Sequence, residues 1–410
     1  MNIKIINDFN KNIEKEDVEM VERKGIGHPD SLADLIAETF SNKYSRYCIK
    51  NFGVILNHWA DKVLISGAKS EINFGNARIL KPVNIYLFGK ATNRFGKHTI
   101  NISNIFKESV EEVFTSVFKN SNMLKHIRYI VDINDGIGMD HSKEFYNPTS
   151  INNFKGIKDL QVANDSVICS GYAGLDKTEF LAIDLECFIN STYFKNKFPE
   201  TGYDVKILVV KTKENFNVTI CVPFIAEMTK SLSFYKERLA LVKKVVLIKA
   251  KKIIKDNGIV LNINTKDKDN GGYITAFGTA LDKGDYGAVG RGNRYNGIIN
   301  INRETNIEAV SGKNPVHHTG KLYTIISQDI ANEIYRKFRV ENYVNIATQN
   351  GLPLTNPLYV VVKLCENSIN KDEIEDIVNK KIKNIKKYTN RIIQLNPAHE
   401  FRILKSIRML

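Results

Sequence analysis

The sequence predicts an α+β fold of small sheets, each covered by helices on one face. Two observations lead to this prediction. Short segments with the apolar alternation of strands stand between longer segments with helical periodicity, and these strand-and-helix groups recur about three times along the chain. No shorter repeat indicates a solenoid. The 410 residues are enough for two or three compact domains.

Each group can be read in order along the chain. The first begins with a polar strand or arm at 1–16 and continues with a helix at 31–51, strands within 53–67 and at 83–92, a helix at 105–120 and a strand at 127–133. The second has a helix at 179–195, strands at 205–212 and 216–226 and a helix at 233–256. The third has strands at 273–279, 342–350 and 358–365 and helices at 321–338 and 371–390.

The segment that leads into the first helix reads Glu22-Arg-Lys-Gly-Ile-Gly-His-Pro-Asp-Ser31. We expect Pro29 to prevent an earlier helix start and Asp30 or Ser31 to act as the N-cap. Within the helix, apolar side chains recur every four residues on one face, at Leu32, Ile36 and Phe40.

A second face of the same helix carries a row of carboxylates at Asp30, Asp34 and Glu38. Like charges at this spacing repel one another unless a cation lies among them. The helix N-terminus, with His28 beside it, presents N–H groups that attract anions. A cation site next to an anion site suits a metal–polyphosphate such as Mg-ATP. The alternative is a well-capped helix whose acidic edge is simply solvated.

Three later blocks also carry chemistry. Ala163-Asn-Asp-Ser-Val-Ile-Cys-Ser-Gly-Tyr-Ala173 contains an Asn-Asp pair, which by itself indicates a turn. Gly284-Asp-Tyr-Gly-Ala-Val-Gly-Arg-Gly-Asn-Arg-Tyr-Asn-Gly297 is a loop whose amides can approach a ligand closely, with two arginines for phosphate. Glu308-Ala-Val-Ser-Gly-Lys-Asn-Pro-Val-His-His-Thr-Gly-Lys321 brings two lysines to the start of a helix and suits a polyanion.

Two motif interpretations of the last block can be set aside. Ser311-Gly312-Lys313 lacks the glycine spacing of a P-loop. His317 and His318 could suggest a metal site, but no third ligand stands near them in the sequence. Roles in hydrogen bonding are therefore favoured for these histidines.

Together these blocks resemble methionine adenosyltransferase (S-adenosylmethionine synthetase) of the archaeal type. The Gly-His-Pro-Asp run at 27–30 is similar to a signature of that family, and similarity continues at 53–63, 163–173, 284–297 and 308–321. The resemblance implies three quasi-repeated domains, here 1–160, 161–284 and 285–410. It implies synthesis of S-adenosylmethionine from ATP and L-methionine, with triphosphate released and cleaved to phosphate and diphosphate. It also implies a homodimer with active sites at the subunit interface, and use of Mg²⁺ and K⁺.

The resemblance assigns roles to particular residues. His28 is expected near the leaving oxygen of ATP and Asp30 on Mg²⁺, while Arg291 and Lys313 complete the catalytic set. Residues expected to bind substrates are Asp61, Asp165, Asp285, Arg294, Ser311, Asn314 and Lys321. Of these, Asp165 and Asp285 are expected to hold the adenosyl and amino-acid portions.

The sequence departs from the family's usual pattern in places. His58-Trp-Ala-Asp-Lys62 stands where a His-Asn-Thr-Asp-Gln run is usual, so Trp59, Ala60 and Lys62 differ. Ile137 stands where the family usually has a polar residue. Residues 67–77 lack most of the glycines of a glycine-rich stretch that is usual in the family. These changes fall on the amino-acid side of the expected site. We therefore keep open a related adenosyltransferase with a different nucleophile or a methionine analogue, and a catalytically silent regulatory or binding homologue.

Composition constrains the remaining classes. The net charge of +14 could indicate a nucleic-acid partner, but the lysines are spread along the chain without an arginine-rich tail, so we consider such binding unlikely. No apolar run approaches the roughly 20 residues of a membrane span. The chain starts without a signal-peptide pattern, and its five cysteines form no Cys-x-x-Cys pair. We expect a cytoplasmic protein without a membrane partner.

Overall fold

The computed structural model describes residues 1–7, 13–119, 121–136, 143–154, 162–255, 258–268, 270–366 and 369–394. In these ranges the helices are α1 Pro29–Phe52, α2 Ile102–Phe118, α3 Lys143–Tyr146, α4 Lys177–Ile189, α5 Thr192–Lys197, α6 Leu232–Ile254, α7 Thr319–Phe338, α8 Lys371–Lys383 and α9 Ile385–Gln394. The longer predicted helices are thus present, with ends shifted by a few residues. In the described ranges we find no helix long and apolar enough to cross a bilayer.

The strands of the described ranges are mostly short. They are β1 Asn2–Ile6, β2 Val18–Lys24, β3 His58–Ser66, β4 Lys69–Asn73, β5 Asn76–Lys81, β6 Val83–Ala91, β7 Arg94–Phe95, β8 His98–Thr99, β9 Ile127–Asn134, β10 Ile168–Ala173, β11 Lys206–Thr212, β12 Asn215–Cys221, β13 Phe224–Ile225, β14 Ile259–Ile263, β15 Ile274–Thr275, β16 Tyr286–Ala288, β17 Ile299–Asn300, β18 Asn342–Ala347 and β19 Tyr359–Leu364.

Three larger sheets organise these strands. One has the order β16-β3-β6-β9, the second β14-β12-β11-β2-β17 and the third β1-β19-β18-β10. Helices α1 and α2 pack on the first sheet, α4 and α6 on the second, and α7 and α8 on the third. Each sheet shares a separate apolar core with its helices. The predicted α+β class, with helices on one face of each sheet, is confirmed.

The three sheets are not formed by consecutive stretches of chain. Strand β2 lies inside the second sheet, between β11 and the edge strand β17, and is antiparallel to both. Strand β1 pairs in parallel with β19, near the other end of the described chain. Each sheet therefore draws strands from more than one of the predicted domain ranges, and boundaries near 160 and 284 remain a prediction.

Some elements differ from the sequence-based expectations. The predicted helix at 179–195 is two helices, because the chain turns at Asn190 and restarts with Ser191 as the N-cap of α5. The predicted helix at 371–390 is likewise interrupted at Asn384. The strand expected at 273–279 is reduced to Ile274–Thr275. Strand β2 was not predicted, because its alternating charged residues resemble a solvated segment until Glu19 and Arg23 are seen to be buried.

Strands of the first two sheets also expose apolar side chains. On the second sheet, Val18, Met20, Leu208 and Val260 are between 39% and 59% exposed. On the first sheet Leu64 is exposed beside the stacked rings of Tyr86 and Phe88, and its partner strand β16 exposes Tyr286. Helix α1 turns its Leu32, Ile36 and Phe40 the other way, into the first core, as predicted.

Candidate active site

The N-cap of α1 is His28, which corrects the expectation that Asp30 or Ser31 would cap the helix. His28 has extended backbone angles, and the backbone N–H of Asp30 donates to its Nδ1 at 3.1 Å. Pro29 is the first helical residue, where the missing N–H costs nothing because it would have no partner inside the helix. The cap fixes the ring: Nδ1 accepts, so a neutral His28 carries its hydrogen on Nε2.

The electrostatics of His28 favour the neutral ring. Burial lowers the pKa of His28 to about 4, an effect that the negative charge of Asp30 opposes and that Lys24 and Lys206 reinforce. Asp285 also acts on the ring with its negative charge. The imidazole is therefore a hydrogen-bond donor through Nε2 at neutral pH without being a cation.

Asp30 joins the motif to the glycine–arginine loop. Its Oδ1 accepts from the N–H of Ala288 at 3.0 Å, and its Oδ2 pairs with Lys24 Nζ at 2.9 Å. Lys24 also donates to the carbonyl of Arg291 at 2.6 Å. Asp30 is 7% exposed. The carboxylate predicted to hold a metal thus lies against a lysine, a neighbour that the sequence analysis did not anticipate although Lys24 stands in the quoted motif.

The next carboxylate of the row, Asp34, holds the glycine–arginine loop. Its Oδ1 accepts from the N–H of Gly290 at 2.9 Å. Burial raises the pKa of Asp34 to about 7, partly opposed by the hydrogen bond from Gly290 and by the charge of Arg294.

The two arginines of this loop differ in their surroundings. Arg294 donates to the carbonyls of Gly290 and Gly292 at 2.7 and 3.2 Å, so its guanidinium holds the loop itself together. The side chain of Arg291 is exposed, and no side chain of the described ranges is hydrogen bonded to it. Of the two predicted phosphate ligands, Arg291 is the one available to a ligand.

The lysine block lies against the same helix. Glu38 accepts from the N–H of Gly312 at 3.0 Å and from Lys321 Nζ at 2.6 Å. Lys313 forms an ion pair with Glu308 and lies 3.9 Å from Asp61. Both lysines are buried, so the sequence-based prediction of two lysines near a helix start corresponds to two buried cations, each beside a carboxylate. Sequence reasoning missed Glu38 and Glu308 as their partners.

A buried polar group supports the base of the lysine block. His58 Nε2 lies 2.8 Å from Ser41 Oγ, which also donates to the carbonyl of Lys313 at 3.1 Å. Asn314 Nδ2 lies within 3.3 Å of His58 Nδ1 and donates to the carbonyl of Leu56 at 3.2 Å. Burial lowers the pKa of His58 to about 3. These side chains fix the backbone near Lys313, and Asn314 is itself fully buried.

The remaining predicted residues are more exposed. Asp165 lies in the loop before β10, where its Oδ1 accepts from the N–H of Ser166. Asp285 precedes β16 and accepts from Tyr286 in the same way. Ser311 is half-buried next to Gly312. The structure brings Asp285 within electrostatic range of His28, whereas it gives Asp165 no contact with the other predicted residues.

The unusual tryptophan lies at the edge of this arrangement. Trp59 is half-buried and forms a bridge with Lys313. Its ring is 6.3 Å from that of His318, and Lys90 Nζ lies 5.2 Å above its face. The indole Nε1 is buried and makes no hydrogen bond to a described residue. Among the other departures, Ala60 is buried, Lys62 is exposed and pairs with Asp61 at 2.7 Å, and Ile137 lies outside the described residues.

Fold and site together define an α+β enzyme in which one helix N-terminus is surrounded by basic, glycine-rich segments of the kind that bind polyphosphates. Comparison with known proteins makes this class more specific. The sequence model of the S-adenosylmethionine synthetase (AdoMet synthetase) family matches residues 1–396. The chain belongs to this family, and it is an enzyme of the methionine adenosyltransferase type.

Individual relatives agree with that assignment. The S-adenosylmethionine synthase of Pyrobaculum aerophilum is 34% identical over 394 residues, covering 93% of this chain and 96% of the relative. That of Hyperthermus butylicus is 36% identical over 361 residues, covering 86% of each. A solved structure, described as an unusual S-adenosylmethionine synthetase from Campylobacter jejuni, covers 96% of this chain and all of the other with a TM-score of 0.57. At 15% identity it supports the fold alone.

Proposed function

We propose that the protein makes S-adenosylmethionine from ATP and L-methionine. The methionine sulfur attacks C5′ of ATP, a carbon–sulfur bond forms as the C5′–O5′ bond breaks, and triphosphate leaves with the bonding electrons. Water then cleaves the triphosphate to phosphate and diphosphate. A thioether has no proton to lose, so the first step needs no general base. It needs sulfur aligned with C5′, and stabilisation of the charge that develops on O5′.

One observation carries the proposal. Two blocks that are far from the motif in the sequence contact one helix: residue 288 contacts Asp30, residue 290 contacts Asp34 and residue 312 contacts Glu38. These contacts gather the motif histidine, the glycine–arginine loop and the lysine block around the N-terminal half of α1. That grouping is what departure of a triphosphate requires, because the charge on the leaving group needs donors and cations that are already in place.

Within this proposal His28 donates from Nε2 to the leaving O5′. The donor assignment is supported by the hydrogen bond from Asp30 N–H to Nδ1, which leaves Nε2 as the protonated nitrogen. Arg291, Lys313 and Lys321 neutralise the triphosphate. Because both lysines are ion-paired in the protein alone, triphosphate would replace or share Glu308 and Glu38 as their partners. Arg294 contributes by shaping the loop.

The residues present are compatible with Mg²⁺ at Asp30. A carboxylate has about four lone-pair sites, and from the described residues one N–H and one ammonium are directed at this one. Asp30 would hold Mg²⁺ together with phosphate oxygens, the usual arrangement for this ion, and Mg²⁺ would offset the charge of the triphosphate. The structure singles out no described residue for K⁺, which we retain from the family resemblance.

Two further assignments complete the substrate side. Asp285 is exposed, lies within electrostatic range of His28 and pairs with the ammonium group of the amino acid in this proposal. Asp165 is proposed for the adenosyl portion from the resemblance, and its exposure leaves it accessible. Asp61, Ser311 and Asn314 border the lysine block.

We also propose a homodimer with the active sites at the subunit interface. The support is the exposure of apolar residues on strands of the first two sheets, such as Leu64, Tyr286, Met20 and Val260. Exposed apolar residues on a sheet face are typical of association sites. Light scattering of the purified chain tests the proposal: twice the mass of 46.6 kDa supports it, and a monomer at micromolar concentration contradicts it.

Trp59 supports a second candidate, adenosyl transfer to a different nucleophile or to a methionine analogue. The indole lies beside Lys313 with a buried N–H that no described residue satisfies. A large apolar wall with an unpaired donor would suit an acceptor of another shape than methionine. Replacement of Trp59 by Asn, the residue type usual in the family, is expected to lower the KM for methionine and to leave the KM for ATP unchanged.

One experiment separates the candidates. The protein is incubated with Mg-ATP and a panel of thioethers, amino acids and amines, and adenosylated products are identified by mass spectrometry. S-Adenosylmethionine as the main product, with a micromolar KM for methionine, supports the first candidate and excludes the second. An adenosyl product of another acceptor supports the second. Failure to form any adenosylated product with any acceptor would indicate a silent homologue.

A further inference from the structure

The carboxylate row on α1 has a use that the sequence analysis did not foresee. Asp30, Asp34 and Glu38 each accept a hydrogen bond from the backbone of the surrounding glycine-rich segments, donated by the N–H of residues 288, 290 and 312 at 3.0, 2.9 and 3.0 Å. The acceptor oxygens of the row are therefore satisfied by amide donors, with Lys24 and Lys321 as the only side-chain cations that hydrogen bond to the row within the described ranges.

The position of the held amides is informative. Asp34 holds Gly290, the residue just before Arg291, and Glu38 holds Gly312, the residue just before Lys313. In both segments, the hydrogen-bonded amide belongs to the residue immediately before the basic residue proposed to bind triphosphate. Since the Arg291 side chain is exposed and hydrogen bonds to no described residue, its backbone is what determines where its guanidinium can reach.

We propose that Asp34 and Glu38 are positioning residues that act through Arg291 and Lys313. The proposal rests on the proposed function, because it takes those two residues as triphosphate ligands. Asp34 and Glu38 lie one helical turn apart, so a single rigid element sets both loops and fixes the separation of two cations that belong to different segments. Loss of one anchor leaves the cation present but misplaced, and a misplacement of about 1 Å can reduce a rate roughly 10²-fold.

Double-mutant kinetics test the coupling of Asp34 to Arg291. The variants are Asp34→Ala, Arg291→Ala and the double change, with Glu111→Ala on the exposed face of α2 as the matched control. We expect Asp34→Ala to lower kcat by about 10- to 100-fold in the wild-type background and by less than about threefold when Arg291 is already Ala. Asp34→Asn keeps an acceptor oxygen and should recover most of the rate. Equal losses in both backgrounds would overturn the proposal.

Two independent measurements distinguish failure of this proposal from failure of the proposed function. Hydrogen exchange of the peptide 286–297 should become faster in Asp34→Ala and remain slow in Asp34→Asn, whatever reaction the enzyme catalyses. The Kd for inorganic tripolyphosphate, measured by calorimetry, should rise in Asp34→Ala but change little when Arg291 is already Ala. Unchanged exchange would refute the anchor, whereas faster exchange without any effect on tripolyphosphate would refute its link to phosphate binding.

Glu38 and Lys313 provide a second pair if Asp34→Ala does not fold. Glu38→Gln retains one oxygen that can accept from both Gly312 and Lys321, whereas Glu38→Ala retains none. We expect the Gln variant to keep most of its kcat and the Ala variant to lose about tenfold or more. A loss that persists undiminished after Lys313→Ala would contradict a role through Lys313.

Discussion

His28 Nδ1 accepts a hydrogen bond from the backbone N–H of Asp30, and this contact joins the start of α1 to the proposed chemistry. The same ring serves as helix cap through one nitrogen and is available as a donor through the other. Substitutions of His28 can therefore affect helix capping and hydrogen-bond donation, and the two effects can be measured separately.

Replacement of His28 should separate capping from donation. His28→Asn keeps a capping oxygen, and His28→Ala loses about 1 kcal/mol of stability with the cap. Both variants lose the Nε2 donor, so both should show adenosyl transfer reduced by about 10²-fold or more, with a much smaller effect on hydrolysis of added tripolyphosphate. Thermal unfolding and the two activity assays check this. Equal losses in both reactions would assign His28 to general polyphosphate binding.

The two arginines of the glycine-rich loop should respond differently. Arg291→Ala is expected to lower turnover by about 10²-fold and leave the unfolding temperature unchanged, because its side chain is exposed. Arg294→Ala should lower both turnover and the unfolding temperature, because three backbone carbonyls lose their hydrogen-bond donor. Lys313→Ala should also abolish most turnover. Lys107→Ala on α2 is the charge-matched control, and near wild-type rates for Arg291→Ala at saturating ATP would exclude a phosphate role.

Gly312 and Gly351 form a matched pair for backbone strain. Both have positive φ, 80° and 83°. A Cβ at Gly312 would lie 2.2 Å from the carbonyl oxygen of Ala60, whereas a Cβ at Gly351 would meet open space. We expect Gly351→Ala to cost about 1–2 kcal/mol of unfolding free energy from conformation alone. Gly312→Ala should cost clearly more and lower activity, because the backbone at Lys313 must move. Urea unfolding compares them, and equal costs would show that β3 yields to the added methyl group.

Stability should fall as pH rises because of a buried glutamate. Burial raises the pKa of Glu19 to about 9, and a hydrogen bond to Asp176 adds to this. The unfolded group ionises near 4.5, so the contribution of neutral Glu19 is fully present below pH 4.5 and is lost as pH rises towards 9. The slope attributable to one such group is at most about 1.4 kcal/mol per pH unit.

The Glu19→Gln variant tests this pH dependence. Gln is neutral at every pH and can still accept from Asn300, which donates to Glu19 at 3.0 Å in the protein. Urea unfolding of both proteins between pH 6 and 9 should therefore give a flatter curve for the variant. Parallel curves would mean that Glu19 is ionised and neutralised by a cation, for which Lys211, opposite it on β11, is well placed.

The sequence alone determined the α+β class, the family and most of the helices. Their signals are local: Leu32, Ile36 and Phe40 repeat with the period of a helix, and the Gly-His-Pro-Asp run and the glycine–arginine loop are contiguous blocks. The free energy that stabilises such helices and loops comes from residues close in the chain or from burial of one helix face. The sequence pattern therefore predicts these elements without knowledge of their distant tertiary contacts.

Only the tertiary structure decided what the polar residues of the site contact. His28 rather than Asp30 or Ser31 caps α1, and Asp34 and Glu38 meet amides 256 and 274 residues away. The local sequence does not distinguish a solvated carboxylate from one that anchors a distant loop. The difference depends on which distant backbone N–H the fold places beside the carboxylate, and on whether the fold excludes water from it. Strand β2 was missed for the same reason, since Glu19 and Arg23 are buried only once Asn300 and Glu186 are packed against them.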